Sequence, residues 1–247
     1  MKWLAPAAMA VLAIGSCTDA TGGKELLSDP SPAVEATSGS APASPKATSE
    51  ASIDGIPAGD YKLDPTHASL IFTASHLGFS NYTSSFGRFS ADLKLDPANP
   101  GAAVISATVD PASLQLFNPP DGFLDELKGV KFMDTKAFPA ITFRSTHVAV
   151  TGKNSADVIG DLTLHGITRP MKLQVTYNGG YAGHVYDPNA RIGFSAHGVF
   201  KRSDYGIDYG IPEPGTTMGV SDDVTVRIEA EFSGPPWKDA PPVTFSN

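Results

Sequence analysis

The sequence predicts an all-β fold of antiparallel strands, either a sandwich or a closed barrel. Apolar and polar residues alternate with a period of two in about eight segments, the pattern of strands with one buried and one solvated face. Turn residues separate most of these segments, and a single stretch has helical spacing. Closure into a barrel would leave no exposed edge strand, which favours that architecture for many meandering strands.

The predicted strands follow one another along the chain with short turns between them. The clearest is DVTVRIEAEF, in which Val224, Val226 and Ile228 alternate with charged or hydroxyl side chains. Asp96-Pro97, His165-Gly166 and Asn178-Gly179-Gly180 supply turn signals. The strands are expected at 68–76, 86–95, 104–109, 141–150, 158–164, 169–177, 191–201 and 223–232.

One segment between the predicted strands favours a short helix. In DGFLDELKGVKFMDTKAFP, the residues Phe123, Leu124 and Leu127 recur at helical spacing, and Pro139 closes the segment. The prediction is therefore one short helical segment within an otherwise β domain.

The first residues have the layout of an export signal. Lys2 supplies a positive charge, residues 4–14 are apolar and uncharged, and Gly15 and Ser16 place small residues before Cys17. This apolar run is too short to span a bilayer as a helix. Cys17 is the only cysteine of the chain, and Ile14-Gly15-Ser16-Cys17 resembles the bacterial lipobox. The sequence thus predicts a signal peptide over 1–16 and an acylated Cys17 that anchors an exported protein in the periplasm or cell envelope. An ordinary signal peptide with a chance cysteine is the alternative.

Composition divides the rest of the chain. Of the 39 residues from 18 to 56, 26 are Ser, Thr, Pro, Ala or Gly, and none is aromatic. Such a segment buries too little apolar surface to offset the entropy of ordering it. We expect a disordered tether over 17–56, one domain over 57–234 and a Pro-rich tail over 235–247.

Charge and motifs exclude several classes of function. The formal net charge of −8 offers no basic surface for nucleic acid. The chain has no HExxH, GxSxG, P-loop or dinucleotide motif, and its six histidines are scattered. His67 and His76 are nine residues apart and would face opposite sides of one strand. The sequence predicts a protein that is not an enzyme, with no cofactor and no metal site.

A family resemblance covers nearly the whole domain. The stretches YKLDPTHASLIFTASHLGFS, FGRFSADLKLD, LKGVKFMDTKAFPAITFRST, VIGDLTLHGITRPMKL and KRSDYGID, followed by MGVSDDVTVRIEAEF, resemble the YceI-like family in order from residue 61 to 232. The resemblance implies a lipocalin-like antiparallel β-barrel of about eight strands. It also implies an exported protein that holds a polyisoprenoid or similar long amphiphile in an apolar pore.

The inward face of each predicted strand supplies a candidate ligand-binding lining. An uncharged lining of Phe, Leu, Ile and Val suits a hydrocarbon chain, although the same pattern fits a filled core with no cavity. The candidates are Phe72, His76, Phe89, Leu93, Ile105, Ile141, Phe143, His147, Leu162, Leu173, Phe194, Phe200, Val226 and Ile228.

Three polar residues are assigned to the interior or its rim. His76 and His147 share the parity of the apolar face, so each is either a core or rim histidine or a donor to a lipid head group. Arg202, in KRSDYGIDYG, is a candidate for binding an anionic head group; the alternative is an Arg–Asp pair that holds a long loop.

Two functions from different classes remain open on the sequence. The first is a membrane-anchored binding protein for a long-chain isoprenoid or fatty-acyl lipid. The second is a non-enzymatic scaffold or interaction module near a membrane respiratory or stress-response partner. A metal- or haem-dependent enzyme is a third and weaker possibility, supported only by the scattered histidines.

Overall fold

The computed structural model describes residues 53–238, which contain ten strands, one α-helix and three short 3-10 turns. The predicted signal peptide, Cys17, the tether up to residue 52 and the tail from residue 239 lie outside the described residues. The strands are β1 Gly59–His76, β2 Ser80–Phe86, β3 Phe89–Leu95, β4 Val104–Val109, β5 Leu114–Leu116, β6 Ile141–Gly152, β7 Ser155–Leu164, β8 Ile167–Tyr181, β9 Asn189–Lys201 and β10 Val220–Pro236. Helix α1 is Phe123–Lys128, and the 3-10 turns are Pro100–Ala102, Pro111–Ser113 and Arg202–Tyr205.

The ten strands form a closed antiparallel barrel with eight strand positions around its circumference, which we call staves. The order β10-β9-β8-β7-β6-β4-β3-β1 is closed by pairing between β10 and β1. β2 and β3 pair with different halves of β1, while β5 pairs with β2 and β4 with β3. β2 and β3 together therefore form one interrupted stave, and β4 and β5 together form the next. The predicted all-β barrel with one short helix is confirmed.

The interruptions follow from local sequence. Between β4 and β5, Pro111 cannot donate to a sheet ladder, and the Asp110 carboxylate accepts a 2.8 Å hydrogen bond from the Ala112 N–H. Between β2 and β3, the Gly87 N–H donates to the Ser113 carbonyl, and Arg88 pairs with Asp110 at 2.6 Å. The two breaks are thus joined to each other.

The register places the connecting segments at two ends of the barrel. His76 pairs with Ser80 and Val220, and Leu164 pairs with Ile167. The segments 77–79, 117–140, 165–166 and 202–219 therefore share one end, which we call the α1 end. The segments 53–58, 96–103, 153–154 and 182–188 share the other, which we call the Tyr61 end.

A compact apolar cluster fills part of the Tyr61 end. Tyr61 is buried and its hydroxyl donates to the Pro57 carbonyl at 2.5 Å. A Cβ at Gly234 would overlap the Tyr61 ring, so a residue without a side chain is required there. Burial, and to a smaller extent the nearby Tyr177, raises the pKa of Tyr61 to about 12. The cluster comprises Ile56, Tyr61, Leu93, Leu95, Tyr177, Ala190, Ile192 and Phe232.

An ionic network lies outside the barrel near the same end. Asp64 accepts hydrogen bonds from Arg191, from both polar hydrogens of Thr66 and from the His67 ring. Asp187 accepts a 2.6 Å bond from Nε of Arg191. These bonds, those from Thr66 first, hold the pKa of Asp64 well below its usual range, and Asp64 in turn raises the pKa of His67.

Candidate functional site: an apolar cavity inside the barrel

The barrel encloses a cavity of about 990 Å³. This is near the upper limit of the range of roughly 300–1,000 Å³ that is usual for small-molecule sites. Lining residues come from both ends: His76 and Tyr209 at the α1 end, Lys153 and Asn154 at the Tyr61 end. All four are exposed, which marks where the cavity meets the protein surface. The interior therefore contains an open cavity that reaches both ends, with the cluster around Tyr61 filling only part of one end.

Strand alternation explains why the lining is apolar. Successive side chains point to opposite faces, so every second residue of each stave enters the barrel. In β10, Val224, Val226 and Ile228 line the cavity while Thr225 and Arg227 face solvent. Val226 and Ile228 are only half-buried although they point inward, because they face open space instead of neighbouring side chains.

Most of the residues predicted from the sequence meet in this cavity. Thirteen of the fourteen lining candidates are among the residues around it, and their role in binding a ligand stays a prediction. They are Phe72, His76, Phe89, Leu93, Ile105, Ile141, Phe143, Leu162, Leu173, Phe194, Phe200, Val226 and Ile228.

His147 is the exception, and its predicted inward orientation is wrong. The pairing of β6 with β7 shifts register between Ser145 and His147, as a β-bulge does. The extra residue reverses the parity, so Phe143 lines the cavity before the bulge and Val148 after it. His147 consequently lies exposed on the outer surface.

Arg202 borders the cavity but does not offer its guanidinium to a head group. It is 6% exposed and donates to four backbone carbonyls, those of Ser221, Ile207, Tyr209 and Val220, at 2.8–3.0 Å. Burial lowers the pKa of Arg202, and the Asp222 and Asp208 carboxylates oppose that shift. Four of its five N–H donors are therefore occupied. The predicted alternative, an Arg–Asp pair, is replaced by bonds from the side chain to the main chain.

The segment between β5 and β6 contributes lining that strand patterning missed. Phe123 and Leu127 of α1 line the cavity, as do Phe132 and Met133 beyond the helix. The helical spacing of Phe123 and Leu127 indicated an apolar face. Nothing in that spacing showed that the face closes over the barrel.

Two hydroxyls of β2 interrupt the apolar wall. Tyr82 and Ser84 are two residues apart and so lie on the same face of the strand. Within residues 53–238, their oxygens are the buried side-chain polar atoms that lack a hydrogen-bond partner. Ser84 is 1% exposed and pairs across the sheet with Phe72 and Leu116, and the Tyr82 ring meets Phe123 edge-on at 6.0 Å. Because Tyr82 and Ser84 carry hydroxyl groups, the sequence of β2 shows no apolar alternation that would identify its inward face.

The described part of the chain contains neither a cluster of metal ligands nor a membrane-spanning helix. Among residues 53–238, no three His, Cys, Asp or Glu side chains lie close enough to hold a metal ion. No helix within the same range is long and apolar enough to cross a membrane.

Comparison with known proteins agrees with the barrel. A UPF0312 protein of Pseudomonas putida strain W619 is 36% identical over 175 residues, covering 69% of this chain and 86% of that protein. The crystal structure of Burkholderia cenocepacia BcnA is 25% identical, with a TM-score of 0.58, and covers 68% of this chain and 98% of BcnA. A polyisoprenoid binding domain from Saccharophagus degradans has the same fold, with a TM-score of 0.54 at 18% identity over 71% of this chain and 98% of that domain.

The family model of the YceI-like domain matches residues 61–232, from the buried tyrosine of β1 to the buried phenylalanine of β10. This range contains all but the outer ends of β1 and β10 among the strands that close around the cavity, and it coincides with the range of the sequence resemblance. The chain belongs to the YceI-like family.

Proposed function

We propose that this protein binds a long-chain amphiphile, a polyisoprenoid or a similar lipid, inside the barrel and without catalysis. The observation that carries the proposal is the cavity of about 990 Å³, which runs between the two ends and is lined almost wholly by hydrocarbon side chains. The fold shared with the polyisoprenoid binding domain of Saccharophagus degradans supports the same class of ligand. The lining supplies the apolar surroundings that a hydrocarbon chain favours.

The expected ligand carries little charge into the barrel. Arg202, the one arginine that lines the cavity within residues 53–238, is bonded to backbone carbonyls, so its guanidinium is not available for a bidentate contact with a phosphate. The polar end of an amphiphile is therefore expected near an opening, at the α1 end or beside Lys153 and Asn154.

Lipid content of the purified full chain tests this function. Mass spectrometry of organic extracts should find a long-chain lipid in roughly equimolar amount, because a single continuous cavity offers room for one such chain. A protein that carries no lipid and takes up neither an added isoprenoid alcohol nor a fatty acid would overturn the proposal. The non-enzymatic scaffold near a membrane partner would then be the better account.

Val226→Arg separates a hollow barrel from a filled one. Val226 lines the cavity in the middle of β10, and Thr225 beside it faces solvent. In a hollow barrel the long side chain can extend toward an opening, so the fold survives while lipid content falls. In a filled core the unpaired charge would unfold the domain. Thr225→Arg is the matched control and should change neither lipid content nor the melting temperature.

We further propose that the protein is exported and held at a membrane of the cell envelope by an acylated Cys17. The support is the lipobox-like Ile14-Gly15-Ser16-Cys17 after a short apolar run, with a Ser, Pro and Ala-rich segment behind it. After the membranes are washed to release peripherally docked protein, Cys17→Ser should move the protein from the detergent-extracted membrane fraction to the soluble fraction. Unchanged membrane association in that variant would contradict the anchor.

A further inference from the structure

Large exposed apolar side chains gather at the α1 end of the barrel. Phe79 is 83% exposed, Val130 77%, Met218 72% and Phe117 71%. They lie on three different segments, 77–79, 117–140 and 206–219. Scattered apolar residues are common on any protein surface, so their meaning depends on whether these segments are neighbours.

Contacts between the segments show that they adjoin one another around the opening. The Leu77 N–H donates to the Gly219 carbonyl at 2.8 Å, which joins the first segment to the third. The Phe132 and Tyr209 rings meet edge-on at 5.4 Å, and Nζ of Lys131 lies 4.7 Å from the centre of the Tyr209 ring. These contacts join the second segment to the third. Phe132 and Tyr209 also line the cavity, so the segments that carry the exposed apolar side chains adjoin its opening.

The opposite opening has a different surface. There the lining residues Lys153 and Asn154 are exposed, and Thr151 beside them is also exposed and polar. Val150 is the one large apolar side chain exposed in that turn. Val185 and Tyr186 are also exposed at the Tyr61 end, but they lie on segment 182–188, which contributes no residue to the cavity lining. At the α1 end, by contrast, the segments 117–140 and 206–219 carry exposed apolar side chains and also line the cavity.

Charge at the α1 end argues against an anionic partner. The segments 77–79, 117–140 and 206–219 carry six carboxylates and three lysines. A surface with this balance is repelled by anionic lipid and gains nothing from a strongly acidic protein. A lipid surface without net charge places no such penalty on it.

We propose that the α1 end docks on a zwitterionic lipid bilayer, with Phe79, Phe117, Val130 and Met218 inserted at the boundary between head groups and acyl chains. The four side chains are spread over separate segments with polar residues between them. A bilayer adapts to such separate protrusions, whereas a stable protein interface needs a continuous, well-packed face. A docked barrel would take up or release its lipid without exposing the hydrocarbon chain to water.

This inference rests on the proposed lipid cargo, but its test is independent of it. The chain from residue 18 onward lacks the apolar leader and Cys17 and keeps every described residue and every strand pairing of the barrel. Its partition into phosphatidylcholine vesicles is measured by flotation, next to vesicles in which part of the lipid is phosphatidylglycerol. Phe79→Ser and Phe117→Ser, made singly and combined in one double variant, are the test variants, and neither residue lines the cavity. Tyr186→Ser, at the Tyr61 end and 92% exposed, is the matched control.

The expected result is binding to phosphatidylcholine vesicles that each phenylalanine substitution weakens about tenfold, since each removes a large apolar side chain from the boundary. Tyr186→Ser should bind like the wild type, and phosphatidylglycerol should weaken binding. Equal binding by wild type and the double variant, equal loss in Tyr186→Ser, or no binding by the wild type would overturn the docking surface. So would a concentration-dependent dimer in ultracentrifugation that the same substitutions abolish.

Measuring the lipid content of the same samples distinguishes a failure of the proposed docking surface from a failure of the proposed lipid binding. A double variant that loses vesicle binding and retains its extracted lipid supports docking and cargo together. Wild-type protein that binds vesicles but contains no lipid, and takes up none, would refute the proposed function alone.

Discussion

Nη1 of Arg202 donates a 2.8 Å hydrogen bond to the carbonyl oxygen of Tyr209. The same guanidinium bonds the carbonyls of Ile207, Val220 and Ser221, so one side chain joins the beginning of the segment 206–219 to the beginning of β10. That segment borders the α1 opening through Tyr209. Arg202 therefore fixes the shape of the opening, whereas the sequence suggests either a contact with an anionic head group or an Arg–Asp pair that holds the loop.

Replacement of Arg202 should loosen this segment and destabilise the barrel. Arg202→Met leaves four carbonyls without their donor, and we expect the free energy of unfolding to fall by about 3 kcal/mol. Urea unfolding measures the loss, and hydrogen exchange should rise across 206–219. Arg227→Met, on the outer face of β10, is the control and should change neither quantity. Equal protection in both variants would refute the role of Arg202.

Ser84→Ala should stabilise the ligand-free protein. Its buried hydroxyl has no partner, and removing an unsatisfied polar group is expected to raise the free energy of unfolding by about 1 kcal/mol. Ser85→Ala, the next residue on the opposite face of β2, should be close to neutral. Thermal unfolding of delipidated samples makes the comparison. A Ser84→Ala variant less stable than Ser85→Ala would mean that the hydroxyl has a partner in solution.

A larger side chain at Ala196 should block the cavity while the fold persists. Ala196 lies between Val175 and Ile228 in the sheet, and all three line the cavity. In Ala196→Trp the indole occupies open space, so we expect a stability change within about 1 kcal/mol and an affinity for lipid at least about tenfold lower. His197→Trp places the same side chain on the exposed outer face. Retained lipid in Ala196→Trp would count against the cavity as the binding site.

Gly234→Ala should disturb the Tyr61 end. The new Cβ overlaps the Tyr61 ring, and we expect a loss of about 2 kcal/mol in the free energy of unfolding. Displacement of Tyr61 into solvent would also return its pKa from about 12 toward the ordinary value of about 10. Spectrophotometric titration of the tyrosines detects this change. At Gly193 an added Cβ meets only ordinary contacts at 3.9 Å, so Gly193→Ala is the matched control.

The Asp64 network should make stability depend on pH. The pKa of Asp64 is lowered in the folded state, so its contribution is present above the unfolded value of about 4 and is lost on acidification. The pKa of His67 is raised, so its contribution is present below about 6.5 and is lost as the pH rises. The deficit in melting temperature of Asp64→Asn should therefore be largest between about pH 4 and 6.5. Asp60→Asn, an exposed position on the same strand, should show no such window.

Regular alternation made most of the fold and lining predictable. A period of two assigned Val226, Ile228 and Phe194 to the inside without knowledge of their neighbours, because each strand has one solvent-exposed face and one face that points into the barrel. The same rule failed at His147, where a bulge adds one residue to β6. A bulge depends on how two strands pair, and a single strand's sequence does not reveal that pairing.

Features that depend on contacts between residues distant in the chain could also not be predicted from the sequence. The Asp204-Tyr205 and Asp208-Tyr209 dipeptides suggested ionic partners for Arg202, yet the partners are carbonyl oxygens that every residue carries. Whether the barrel is hollow likewise depends on the spacing of its staves. Residue type gives the composition of an interior and leaves its volume undetermined.

The attachment of segment 206–219 through its main chain has a consequence for engineering. Since Arg202 binds carbonyl groups, Tyr209 and its neighbours can be exchanged without removing the bonds that set the path of the segment. The side chains of segment 206–219 can thus be varied in a library while the backbone path of the segment stays unchanged. Selection for new cargo could begin there, with Arg202 kept constant.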